Sequence, residues 1–170
     1  MTDPATSADA AFVDIARSRL CVHLTGQVRA CIGALRPEQI WWRPNEKSNA
    51  IGNLVLHCTG STRFYIGRII GGSDFVRDRR TEFAERRELP AALLRANLDQ
   101  AIEEADAALR GFDPGRLLEV TEETPEPMTL AEVITLQVSH YALHVGQIAY
   151  ATKLINADAI HEIWRKTPSR

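Results

Sequence analysis

Four stretches of this chain carry apolar residues at helical spacing, and strong turn formers separate them. In the first, about residues 9–35, Val13, Leu20, Leu24, Val28, Cys31 and Leu35 form one stripe, and Pro37 stops it. Ser48 is a candidate N-cap for a second helix over about 49–70, ended by Gly71-Gly72. Pro90 suits the first turn of a third, whose buried side is Leu93, Leu94, Leu98, Ala101, Ile102, Ala105 and Leu109, with Gly111 as C-cap. The fourth begins at Thr129, where Glu132 three residues on completes a capping box, and runs to about Ile155. Strand alternation is almost absent. Amphipathic helices must bury their stripes against one another, so the expected class is all-α, a four-helix bundle. The unequal connections leave its topology open. The expected plan is a flexible N-terminus (1–8), a helical bundle (9–155) and a C-terminal tail (156–170), with one helical turn around residues 160–164.

The chain has 170 residues, enough for a single domain with a real core. Its net charge of -2 gives no reason to expect a nucleic-acid partner. There is no signal-peptide pattern and no apolar run long enough for a membrane, so a cytoplasmic protein is expected. Residues 73–88 are rich in arginine but interleaved with acids, which reads as a solvated surface or a short helix. Cys21, Cys31 and Cys58 match no zinc spacing and read as small hydrophobes. Trp41 and Trp42 stand together in a loop, where buried aromatic area would tie that loop down or border a pocket.

The histidines carry the chemistry. On a helical wheel with His140 at the origin, His144 falls near 40° and Gln147 near -20°, inside the apolar stripe of the fourth helix. On the second helix, Asn53, Gly60 and Ser61 surround His57, a mixed face that suits a polar pocket better than a closed apolar seam. Imidazoles at i and i+4 can converge on one ion, and a third can enter from a neighbouring helix. Three nitrogen ligands leave positions open for water or substrate. Neutral imidazole accommodates several transition metals, so the ligand set does not choose among them. The same histidines could instead be buried core groups satisfied by one donor and one acceptor. Asn53, Ser61, Gln147 and His23 are candidates for an outer layer or pocket lining. Tyr65 and Tyr141 project away from the site, Glu132 serves the helix cap, and no inward Asp or Glu presents itself.

NAIGNLVLHCTGSTRFYI (49–66) followed by SHYALHVGQIAYATKL (139–154) resembles the DinB-like superfamily, with the DUF1572-type members the nearest likeness. The resemblance spans roughly residues 9–155. It implies an up-down-down-up four-helix bundle with a long crossover connection and a divalent metal held by His57, His140 and His144. Zinc, nickel, manganese and iron all remain open. It also implies a homodimer and, by analogy with some members, transfer chemistry on a low-molecular-weight thiol with a small-molecule ligand. A noncatalytic metal- or small-ligand-binding bundle and a metal-dependent hydrolase are the alternative expectations. No thiol-cofactor pattern is visible in the sequence.

Overall fold

The computed structural model describes residues 7–159; the expected helical turn at residues 160–164, His161 and most of the N-terminal segment expected to be flexible lie outside the described residues. Helix α1 covers residues 8–33, α2 Pro37–Ile40, α3 residues 51–70, α4 Arg79–Ala84, α5 Ala91–Arg110 and α6 Leu130–Ile155. Two short strands, β1 (Val120–Thr121) and β2 (Met128–Thr129), pair antiparallel just before α6. The four long helices are α1, α3, α5 and α6.

The helix boundaries follow local chemistry. Thr129 Oγ1 accepts the Glu132 backbone N–H, and the Glu132 carboxylate accepts the Thr129 backbone N–H at 2.7 Å, so the expected capping box forms. Thr129→Ala should cost about 1 kcal/mol in urea unfolding, since it removes one of the two reciprocal bonds. An unchanged midpoint would show that the adjoining strand pair holds the helix start instead.

Helix α3 departs from expectation at its start. Ser48 bonds to Asn45 within the loop, and the N-cap position is Ala50, whose N–H is accepted by Asn53 Oδ1 at 3.3 Å. Ala50 and Ile51 are buried, so the helix starts where the chain enters the core.

Helices α1 and α3 each contain a wide turn, at Ser18–Leu24 and Arg63–Ile70, with backbone bonds reaching five residues back. Gly71 N–H to Ile66 C=O, at 2.9 Å, is one of them. Such turns insert extra backbone per turn and rotate everything downstream. His57 lies before the wide turn of α3, so its predicted direction is unaffected.

Cross-helix contacts settle the topology. Arg17 meets Asp106 and Arg29 meets Asp99, so α1 and α5 are antiparallel. Trp41, packed on Gly52 in the first turn of α3, donates to the carbonyl of Leu89 just before α5, and Arg63 meets Glu104, so α3 and α5 are parallel. His57 faces His140 while Thr62 bonds to Gln137, so α3 and α6 are antiparallel. The order is up-down-down-up. Two parallel helices in sequence need a connection that runs the length of the bundle, and residues 71–90, which carry α4, provide it.

Trp41 is buried and Trp42 is largely exposed. The indole of Trp41 lies flat against Gly52, where a Cβ would stand 2.7 Å from the ring. The aromatic pair therefore splits into one anchor and one surface residue. Cys21, Cys31 and Cys58 are all buried and unpaired.

Candidate metal centre

His57 projects from α3, and His140 and His144 project from successive turns of α6. His57 is almost fully buried, while His140 and His144 are partly exposed. Their rings pack edge to face around a common centre, with centroids 4.5–4.9 Å apart. The Nε2 atoms converge. His140 Nε2 lies 2.9 Å from His57 Nε2 and 3.0 Å from His144 Nε2.

The outer nitrogens explain which way these rings face. His57 Nδ1 lies 2.7 Å from Glu82 Oε2, and His144 Nδ1 lies 2.8 Å from Gln147 Oε1. An ionised carboxylate and an amide carbonyl only accept, so each Nδ1 donates its proton outward. Each corresponding Nε2 then presents a lone pair inward. His140 Nε2 can donate at most one N–H between those two lone pairs. At least one of the two short N···N contacts therefore opposes lone pair to lone pair unless a cation lies between them.

A proton on His140 or His144 is poorly suited to that role. Burial, helped by the charges of the neighbouring histidines and of Arg77 and Arg79, pushes the His140 imidazole down to about 4. Burial also lowers His144, against the Gln147 hydrogen bond that opposes it. His140 Nδ1 is buried with no partner among the described residues, so no protein group claims this ring from behind. The donor set fits a metal ion. Two nitrogens on one ion, each at about 2.1 Å, stand roughly 2.9–3.4 Å apart across right or tetrahedral angles. The three histidines could hold a metal ion.

Glu82 is the residue that the sequence reading missed. It sits on α4, in the crossover segment, and is buried. Burial raises its carboxyl, but the hydrogen bonds from His57 and Arg77 outweigh that and hold it below the usual carboxylate range. Arg77 bonds both carboxylate oxygens, Nε to Oε1 at 2.8 Å and Nη2 to Oε2 at 2.9 Å. Arg77 Nη2 also lies 3.1 Å from His57 Nδ1, a side contact of the shared oxygen. Phe83 stacks on the His57 ring at 4.5 Å.

The expectation of no inward acid is corrected, and of the two readings of 73–88 the short helix is the one that forms, as α4, with Glu82 buried. Arg77 and Glu82 turn into the bundle while their neighbours Asp78, Arg79 and Arg80 stay outside. Gly60 makes this possible. A Cβ there would stand 2.1 Å from Glu82 Oε1, so the absent side chain is the space the carboxylate fills. The sequence signal available was Gly60 itself, one turn from His57 on the same face.

The other expected residues take different places. Gln147 touches the site directly through His144. Asn53 stands further out, where its Nδ2 donates to the carbonyls of Glu82 and Glu85 at 3.0 and 3.1 Å. It fastens the backbone that carries Glu82. Ser61 donates to the Cys58 carbonyl and lies near Gln137, toward the next layer of the core. His23 Nδ1 pairs with the Ser18 carbonyl on its own helix at 2.9 Å. Tyr141 points away from the site, as expected, and pairs with Thr25 at 3.0 Å. Burial pushes the Cys58 thiol well above its ordinary range, so it offers no thiolate beside His57.

The family model of the DinB superfamily matches residues 24–148. This chain belongs to the DinB superfamily. The match spans both histidine-bearing helices and the crossover between them, and it stands at the level of the superfamily, coarser than the DUF1572-type likeness. No curated protein matches the chain. Among the described residues of this DinB-superfamily chain, no helix is long and apolar enough to cross a membrane.

Proposed function

We propose that this protein binds one divalent metal ion through His57, His140 and His144 and uses it to activate a low-molecular-weight thiol for transfer to an electrophilic carbon. The observation that carries the reading is the convergence of three Nε2 atoms whose outer nitrogens are tied to Glu82 and Gln147. That arrangement turns lone pairs inward and holds them there. Three protein ligands would leave coordination positions for a small molecule. The ion would supply Lewis acidity that favours the thiolate form of a bound thiol near neutral pH. The thiolate sulfur would form the new bond to carbon as the leaving group departs with its electron pair.

Thiol transfer ranks above hydrolysis for a physical reason. Hydrolysis needs a group to take a proton from water. Glu82 is the acid beside the histidines, but both of its oxygens are engaged by Arg77 and one also by His57. It positions a ligand and leaves no free acceptor toward a substrate. A thiol needs less help, since its proton is lost more readily once a cation favours the thiolate.

The test begins with metal content after purification without chelators or histidine tags. About one ion per chain is expected. The loaded protein should then accelerate loss of 2-mercaptoethanol to an alkyl halide, and metal removal should abolish the acceleration. A bound ion with no effect on any thiol or electrophile would favour the noncatalytic metal-binding alternative. No ion after incubation with Zn²⁺, Ni²⁺ or Mn²⁺ would overturn the reading.

A further inference from the structure

We propose that Arg79 makes this site selective for ligands that carry a carboxylate beside the atom they present to the three histidines. The inference rests on the metal-binding reading above and adds the substrate class.

Arg79 is exposed at the first position of α4. Its guanidinium carbon lies 5.3 Å from the centre of the Phe83 ring, and that ring in turn lies 4.5 Å from the His57 imidazole. Arg79, Phe83 and His57 thus form one continuous tier that ends at the converging nitrogens. Stacking on an aromatic face restrains a guanidinium while leaving its N–H edge free to bond.

Of the other four arginines in residues 77–87, three are occupied; Arg80 also has no side-chain partner among the described residues, and Arg79 is the one that stacks on Phe83. Arg77 is paired with Glu82, Arg87 with Glu85, and Arg86 with the carbonyls of Phe83 and Glu85. Among the described residues, Arg79 makes no ion pair and no side-chain hydrogen bond.

The local charge balance points the same way. The Glu82 carboxylate is matched by Arg77. Arg79 has no acidic partner among the described residues, and a divalent ion would add two positive charges beside it. An anionic ligand answers that field, and the planar fork of a guanidinium takes a carboxylate through two parallel bonds.

The experiment compares two thiols of equal length, 3-mercaptopropionate and 3-mercapto-1-propanol, by titration calorimetry on Zn²⁺-loaded protein. The carboxylate thiol should bind about tenfold more tightly. Arg79→Gln should erase that difference while leaving zinc content and the affinity for the alcohol thiol unchanged, and Arg79→Lys should restore part of it. Equal binding of the two thiols, binding of neither, or a preference that survives Arg79→Gln would overturn the proposal. Absence of zinc from the parent protein would overturn the metal reading as well, so the two failures are told apart by metal content.

Discussion

His140→Ala should abolish stoichiometric metal binding, with a loss in affinity beyond the roughly 100-fold upper end for removal of an outer hydrogen-bond partner. His140 is the ring shared by both short nitrogen contacts, so its removal leaves His57 and His144 without the ligand that joins them. The effect should also appear in stability. An ion at a hundred times its dissociation constant stabilises the folded state by about 2.7 kcal/mol, and the variant should lose that increment.

The metal-free protein adds a second readout. The folded His140 titrates at about 4, against 6.5 for an ordinary imidazole. As pH falls below 6.5 the unfolded chain takes up a proton that the folded chain refuses, and stability declines. The decline from this group continues to about pH 4 and then stops, because both states are then protonated. His144 is depressed in the same direction and adds to it. His140→Ala should therefore flatten the urea midpoint of the metal-free protein between pH 6.5 and 4. A pH profile as steep as the parent's, together with undiminished metal uptake, would show that His140 belongs to neither effect.

Glu82→Ala should be the most destabilising single change at the site. It deletes a buried carboxylate and strands Arg77, whose side chain is only 12% exposed. Removing one partner of such a pair typically costs about 3–5 kcal/mol, because the other charge stays buried and uncompensated. It also frees His57 Nδ1, so the imidazole loses the bond that fixes its tautomer. Metal affinity should fall roughly 10- to 100-fold beyond any change in folding. The two consequences can be separated by measuring chelator competition in conditions where the variant is fully folded.

Gly60→Ala provides the geometric comparison. Its Cβ would collide with Glu82 Oε1 without altering any charge. It should displace the same carboxylate and reproduce the weakened metal affinity. A Glu82→Ala protein with parental stability and affinity would mean that the Arg77–Glu82 pair is incidental to the site.

These expectations concern different parts of the chain, and those parts were not equally visible in the sequence. Helix positions followed from apolar spacing and caps, because both are local. Thr129 and Glu132 sit within one turn of each other and bond whatever the rest of the chain does. The direction of His140 and His144 was legible for the same reason, since a helix carries residues four apart on one side. His57 was legible as an inward residue among small neighbours.

Glu82 was not legible. In the run TEFAERRE it looks like any acid on a charged surface. Its burial depends on a connection that travels the length of the bundle, on the space left by Gly60 and on the carbonyl anchors provided by Asn53. Those contacts span 22 to 32 residues of chain, and no local rule links them. The same holds for Arg79, whose place above Phe83 follows from how α4 is docked. The four long helices, the capping box at Thr129 and the directions of the three histidines were legible in the sequence, because short-range sterics and hydrogen bonding decide these, whereas the start of α3 at Ala50 was not, because burial sets it. Which charges meet those histidines depends on the packed fold, because burying a carboxylate requires partners brought from distant segments.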